Sequence, residues 1–142
     1  MSAMDEPDAS PLADAVARVG DRWSLLIVDA LLDGPRRFTD LQEAIAGLAP
    51  NILSARLKHL EREGVLLARP YSERPPRFDY ELTAAGGDLA GALRLLARWG
   101  ARSTEEHGPR HSVCGTALET RWYCPTCDLV VETPDATELH RV

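Results

Sequence analysis

Apolar residues recur every three or four positions over most of the first hundred residues, and this spacing predicts a mainly helical fold. A first helix should end at Gly20, and its apolar residues are Leu12, Ala15, Val16 and Val19. A second helix over residues 23–32 is apolar on almost every side, which is typical of a central, buried helix. Asp21 is placed to cap this second helix, and Gly34 and Pro35 end it.

Two short helices follow, joined by a tight turn of about four residues. The run Thr39-Asp40-Leu41-Gln42 matches a capping box, in which Thr39 and Gln42 would satisfy backbone donors at a helix start. Another helix over residues 50–63 begins with Pro50 and carries leucines on its inward side at positions 53, 57 and 60. This pair of helices predicts a helix-turn-helix arrangement.

Two strands and a longer helix come next. Residues 65–69 and 78–82 have strand patterns, and the polar, proline-rich residues 70–77 between them predict a hairpin tip, or wing. Thr83 is placed to cap a long helix whose apolar stripe consists of Leu89, Leu93, Leu96 and Trp99. Gly86 and Gly87 indicate close backbone packing in its first turn or a late start. The predicted fold class is therefore α+β, mainly α with a small β-hairpin wing: a winged helix-turn-helix.

Charge is distributed unevenly along this chain. The 142 residues carry a formal net charge of −6, yet residues 34–79 contain eight Lys or Arg against six Asp or Glu. Both flanking segments are acidic. Binding to phosphate depends on a local basic face rather than on the total charge, so the helix-turn-helix and wing form the segment suited to nucleic acid.

The outward face of the helix over residues 50–63 offers an amide, a hydroxyl and two cations, groups suited to base edges and phosphates in a major groove. These outward residues are Asn51, Ser54, Ala55, Lys58 and Arg62. Arg56 and His59 flank the inward side of the same helix. Further basic residues stand just before Thr39 or on and beside the wing: Arg36, Arg37, Arg69, Arg74 and Arg77. We expect Arg36, Arg37 and Thr39, at a helix start that favours phosphate, to contact DNA as well. The pattern favours DNA binding over an ordinary solvated helix face.

Four motifs stand in order between about Pro11 and Trp99: Val19-Gly20-Asp21-Arg22-Trp23-Ser24-Leu25-Leu26-Ile27, Gly34-Pro35-Arg36-Arg37-Phe38-Thr39-Asp40-Leu41, Asn51-Ile52-Leu53-Ser54-Ala55-Arg56-Leu57 and Pro75-Pro76-Arg77-Phe78-Asp79-Tyr80-Glu81-Leu82-Thr83. Together they resemble the HxlR family of bacterial winged helix-turn-helix regulators. The resemblance implies a homodimeric transcription factor whose first and last helices build the dimer interface and which binds a palindromic operator. It further implies DNA contacts from the recognition helix and the wing, namely from Asn51, Ser54, Arg56, Lys58, Arg74 and Arg77.

Two positions depart from the family pattern. Many members carry a cysteine before the proline of the first helix, and some use it to sense oxidants or electrophiles. Ser10 precedes Pro11 here, so that sensing chemistry cannot be inherited. Ala49 stands where the family often has Ser or Thr before the recognition helix, and the missing capping oxygen costs about 1 kcal/mol locally.

Three cysteines, all in the last 30 residues, form two short ligand pairs with His111. His111 and Cys114 have the spacing H-x2-C, Cys124 and Cys127 have the spacing C-x2-C, and nine residues separate the pairs. Such spacing lets one tight turn direct two side chains at one ion, which predicts a small zinc-ribbon-like tail with a structural zinc. The alternatives are a thiol–disulfide pair or inert cysteines, and His107 and Glu132 compete with His111 as ligand.

The predicted organisation is a tail over residues 1–10, a DNA-binding domain over residues 11–102 and a Cys/His extension over residues 103–142. We expect a cytoplasmic regulator of transcription, a repressor that responds to a small molecule or to redox state, since neither a signal peptide nor a membrane span is evident. A nucleophile–base constellation and a phosphate-binding glycine loop are also lacking, which argues against an enzyme. The alternative is a protein-interaction module that has kept the winged-helix scaffold but no longer binds DNA.

Overall fold

The computed structural model describes residues 10–101 and 109–131, and the chain divides into two compact units, Met1–Leu96 and Ala97–Val142. The helices are α1 (Pro11–Val19), α2 (Arg22–Leu31), α3 (Phe38–Ala44), α4 (Pro50–Arg62), α5 (Ala84–Gly87) and α6 (Ala90–Gly100). The strands are β1 (Arg36–Arg37), β2 (Leu66–Glu73), β3 (Pro76–Leu82), β4 (Trp122–Cys124) and β5 (Leu129–Val131). The boundary between the units falls within α6.

The first two helices begin at side-chain caps. Ser10 Oγ accepts a hydrogen bond from the backbone N–H of Ala13 at 3.1 Å, and Pro11 occupies the first position of α1, where its missing N–H costs little. Asp21 Oδ1 accepts from the N–H groups of Trp23 and Ser24 at 3.1 and 3.0 Å. The predicted cap of α2 by Asp21 is therefore confirmed.

The capping residue predicted for α3, Thr39, is wrong by two positions, because the N-cap is Arg37. The helix begins at Phe38, so Thr39 lies inside its first turn. The carboxylate of Asp40 accepts a hydrogen bond from the backbone N–H of Arg37 at 3.0 Å, so the reciprocal bond expected from Gln42 to Thr39 is made from Asp40 to Arg37 instead. The turn to α4 contains Gly47 with a φ of 79°, a left-handed conformation that suits glycine.

The three-stranded antiparallel sheet has the order β1-β3-β2. The predicted tip over residues 70–77 is too long, because Pro70 pairs with Phe78 and Glu73 pairs with Pro76. Pro70 is tolerated since β2 is an edge strand with a register shift between residues 70 and 72. The turn itself is confined to Arg74 and Pro75.

The long helix expected after Thr83 is split into α5 and α6. Thr83 caps α5 as predicted, since its Oγ1 accepts from the backbone N–H of Gly86 at 3.1 Å. A Cβ at Gly86 would lie 2.1 Å from the carbonyl oxygen of Val65, so this glycine permits close packing against the residue that precedes β2. Of the expected apolar stripe, Leu93 is buried and Leu89 half-buried, whereas Leu96 and Trp99 are exposed.

The core of the first unit lies between α2, α3, α4 and the start of β2. Its most deeply buried apolar side chains are Ile27, Val28, Leu31, Leu41, Leu53, Leu57, Leu60 and Leu66. The central, buried position predicted for α2 is confirmed, and so is the inward direction of the three α4 leucines. This core fixes which face of α4 remains in solvent.

The second unit contains two hairpins among residues 109–131. In the first, Arg110 bridges to Ala117, and the N–H of His111 donates to the carbonyl of Thr116 at 2.8 Å. In the second, β4 pairs antiparallel with β5, with Cys124 opposite Leu129. The expected competing ligands His107 and Glu132 lie outside the described residues.

Candidate nucleic-acid interface

One face of α4 is held in solvent by the packing of the other. Leu53, Leu57 and Leu60 are at most 2% exposed. On the opposite side, Asn51 and Lys58 are exposed, while Ser54 is half-buried. The amide, hydroxyl and ammonium groups predicted to face a duplex are therefore accessible on the helix surface, which a recognition helix requires.

The wing lies beside the recognition helix. A cleft of about 280 Å³ separates α4 from the β2–β3 hairpin. Its walls are formed by Ser54, Leu57, Lys58 and Glu61 of α4 and by Ala68, Phe78 and Tyr80 of the hairpin. Lys58 thus stands at the junction of helix and wing, next to the strand that carries Arg77.

The basic residues of this region fall into two groups according to their partners. Within residues 10–101 and 109–131, some of them take part in no ion pair or side-chain hydrogen bond: Lys58, Arg62, Arg74 and Arg77. All four are exposed. The others are paired with carboxylates of the protein itself: Arg36, Arg37, Arg56 and Arg69. Cations without an internal partner are the ones most available to phosphate.

Arg36 turns back toward α2. Its Nε donates to the carbonyl of Ala30 at 2.7 Å, and its terminal nitrogen lies 3.8 Å from Asp33 Oδ2. The Ala30 carbonyl belongs to the last turn of α2, where a helix lacks internal donors. Arg36 therefore supplies a hydrogen-bond donor to a carbonyl at the end of α2. Its predicted contact with DNA stays a prediction.

Arg37 lies over the sheet. Its guanidinium is 4.5 Å from the ring centroid of Tyr71 and 3.7 Å from Asp79 Oδ1. The side chain is still 57% exposed. A cation stacked on an aromatic ring is pre-oriented, so Arg37 keeps a fixed position beside the exposed residue Thr39.

Arg56 lies almost opposite Lys58 on α4 and contacts the start of α2. Its Nε is 3.4 Å from Asp21 Oδ1. Burial would raise the pKa of Asp21, but hydrogen bonds at Ser24 and Trp23 together with the Arg56 guanidinium outweigh it and lower the pKa. The structure does not bring Arg56 together with Asn51 and Lys58, and it gives Arg56 a role in joining α2 to α4.

A contact between α1 and the end of α4 was not apparent from the sequence. Arg18 donates to the carboxylate of Glu63 at 2.8 Å and to its backbone carbonyl at 2.9 Å, and His59 Nε2 lies 2.8 Å from the Arg18 carbonyl. The carbonyl of Glu63 is one of those left without donors at the end of α4. The helical projection placed His59 beside the inward face, but it could not reveal a partner 41 positions away.

The Cys/His residues of the second unit form two separate pairs. His111 Nδ1 lies 3.2 Å from Cys114 Sγ, which is also 3.2 Å from Thr116 Oγ1. Hydrogen bonds from Thr116 and His111 lower the pKa of Cys114 to about 7. The backbone N–H of Cys127 and its side chain lower the pKa of Cys124, and the Cys124 sulfur raises that of Cys127.

Within the described ranges, no three His, Cys, Asp or Glu side chains lie close enough together to hold a metal ion. Of the four predicted ligands, the structure therefore brings His111 close to Cys114 and Cys124 close to Cys127, but it does not bring the two pairs together. The structure also contains no helix, among the residues it describes, that is long and apolar enough to cross a membrane.

Comparisons with known proteins agree with this geometry. Residues 18–108 match the family model described as HxlR-like helix-turn-helix. An uncharacterised HTH-type transcriptional regulator of Mycobacterium tuberculosis is 38% identical over 118 residues, which cover 80% of this chain and 74% of that protein.

Two solved structures are similar as well. The reduced form of the transcriptional regulator YodB from Bacillus subtilis has 31% identity and a TM-score of 0.56, with 68% of this chain and 95% of that chain covered. A candidate transcription factor from Pseudomonas aeruginosa has 31% identity and a TM-score of 0.64, with 85% of each chain covered. These similarities favour a regulator over an interaction module that has lost DNA binding, and over an enzyme.

Proposed function

Because this chain belongs to the HxlR-like helix-turn-helix family of transcriptional regulators, we propose that it binds a palindromic operator as a homodimer in the cytoplasm. In each protomer α4 enters the major groove, and the β2–β3 wing contacts the flanking backbone. The observation that carries this proposal is the exposed face of α4 with Asn51 and Lys58, bordered by wing cations that have no carboxylate partner among the described residues.

The exposed groups divide into two roles by their chemistry. Asn51 presents an amide, which can pair with two atoms of an adenine edge, so it reads sequence. Lys58, Arg74 and Arg77 carry mobile positive charges without internal partners, so they neutralise phosphates and position the protein. Ser54 is half-buried beside the wing cleft and is suited to a single hydrogen bond to base or phosphate.

A dimer is supported by two exposed apolar faces in the first unit. On α1, Leu12 and Val16 are 73% and 56% exposed, and on α6, Leu95 and Leu96 are 42% and 51% exposed. Apolar side chains on the first and last helices are what a pair of protomers would bury. A dimer bound across a promoter excludes the polymerase, so we propose repression, with a small-molecule or redox effector releasing the DNA.

The proposal predicts a specific and salt-dependent complex. In a fluorescence polarisation assay with the duplex upstream of the protein's own gene, Lys58→Ala should weaken binding about tenfold and lower the salt slope by about one. Arg77→Ala should act in the same direction. Asn51→Ala should instead reduce the preference over a scrambled duplex of equal composition.

The matched control is Arg94→Ala, which removes an exposed cation on α6, an element outside both α4 and the β2–β3 hairpin. Its affinity and salt slope should equal those of the unmodified protein. Equal affinity for the specific and scrambled duplexes, or an Arg94→Ala loss as large as that of Lys58→Ala, would contradict the proposal.

A further inference from the structure

Residues 109–131 of the second unit form strands but almost no hydrophobic core. Among residues 109–131 no side chain is fully buried, and Cys124 and Val131 are the half-buried ones. Val113, Trp122 and Leu129 are 85%, 53% and 63% exposed. A segment of this size cannot offset its conformational entropy by so little burial, and small domains of this kind depend on a staple.

The two turns of this unit share one design. In each, two sulfur or imidazole side chains are separated by two residues, and the second is followed by a residue in the left-handed region. That residue is Gly115, with a φ of 71°, in the first turn and Asp128, with a φ of 55°, in the second. In each turn, the left-handed residue directly after the second ligand ends the turn.

Hydrogen bonds fix the spacing of the first pair. The N–H of Gly115 donates to the His111 carbonyl at 2.8 Å, and His111 Nδ1 lies 3.2 Å from Cys114 Sγ. The two side chains of this turn therefore already lie close together, as two ligands of one ion must.

We propose that His111, Cys114, Cys124 and Cys127 bind one Zn²⁺ ion that joins the two hairpins. Three thiolates and one imidazole are a preferred tetrahedral donor set for zinc. The nine residues between the pairs are long enough to let the two turns meet. Because residues 109–131 bury so little apolar surface, metal binding and the folding of this segment are coupled.

Four protein ligands leave no open position, so the ion has a structural role. It supplies the stability that packing does not. This site goes beyond the proposed DNA binding, which depends on the core and the exposed α4 face of the first unit.

Metal analysis of the full chain, purified without an affinity tag under reducing conditions, should find close to one zinc ion per chain. Cys124→Ser and His111→Ala should each lower the zinc content at least tenfold. Co²⁺ added to metal-free protein should give the visible absorption of tetrahedral cobalt and an ultraviolet thiolate-to-metal band. Circular dichroism should show that both variants keep the helices of the first unit.

Two matched variants test the ligand assignment. His111→Cys replaces the imidazole by a fourth sulfur ligand and should retain zinc, whereas His107→Ala should leave the zinc content unchanged. The proposal is overturned by metal-free reduced protein, by loss of zinc in His107→Ala but not in His111→Ala, or by one ion per two chains. Thiol counting that finds a Cys124–Cys127 disulfide and no zinc would overturn it in favour of a redox pair.

Discussion

Asp21 stabilises two elements at once. Its carboxylate caps α2 by accepting from two backbone N–H groups, and the same oxygen lies 3.4 Å from Arg56 of α4. The cap could be predicted from the sequence because capping is local. The ion pair could not, since Arg56 is 35 positions away and a helical projection shows only that it flanks the core.

Replacement of Asp21 should therefore destabilise the protein by more than the loss of one surface charge would. We expect Asp21→Ala to lower the free energy of unfolding by about 1–2 kcal/mol, mostly through the cap, and Arg56→Ala by less than about 1 kcal/mol. Urea unfolding of both single variants and the double variant measures the coupling. Strictly additive losses would show that the pair contributes nothing.

The same carboxyl gives stability a pH dependence of known sign. Its pKa is lower in the folded protein, so its contribution is complete above the unfolded pKa of about 3.9 and is lost as the pH falls through the folded value. Asp21→Asn keeps a capping oxygen but does not titrate. The stability difference between the unmodified protein and Asp21→Asn should shrink as urea titrations move from pH 7 toward pH 3. A constant difference would contradict this assignment.

At the scale of elements, the break between α5 and α6 shows that the spacing of apolar residues alone cannot predict where a helix is interrupted. The leucine stripe and the Thr83 cap predict one long helix, and the cap is confirmed. Two adjacent glycines weaken that helix, and Gly86 packs closely against the carbonyl of Val65. The same limit applies to the wing, whose strand β2 continues through Pro70 because β2 lies at the edge of the sheet.

The two glycines make a matched pair for experiment. A Cβ at Gly86 would lie 2.1 Å from a backbone oxygen, whereas nothing lies within 4 Å of a Cβ at Gly87. Gly86→Ala should cost about 1–3 kcal/mol of unfolding free energy through overpacking. Gly87→Ala should be neutral or stabilise by up to about 1 kcal/mol through helix propensity. Thermal or urea unfolding measures both, and equal effects would contradict the close packing.

At the scale of the whole molecule, α1 carries an apolar stripe that the core of one chain does not cover. Leu12 and Val16 share the face on which Val19 is buried, yet both remain in solvent. The sequence alone predicted this stripe but could not separate its buried end from its exposed end. That distinction depends on how far the core of one chain extends.

Leu12→Glu should convert a dimer into a monomer at micromolar concentration, because a charge would be buried at the interface. Sedimentation or light scattering measures the mass. The control Ala17→Glu places the same charge on the opposite face of α1 and should leave the dimer intact. A dimer that survives Leu12→Glu would place the interface elsewhere.

The contact of Arg18 with Glu63 and His59 gives this arrangement a mechanical consequence. Helix α1, which is proposed to contact a second copy, forms hydrogen bonds with the C-terminal end of α4, the proposed recognition helix. In the proposed dimer, a rotation of α1 against the α1 of the second copy would change the separation of the two recognition helices, which must match one turn of the duplex, about 34 Å. A ligand that shifts only α1 would therefore release the operator without contacting the face of α4 that binds DNA.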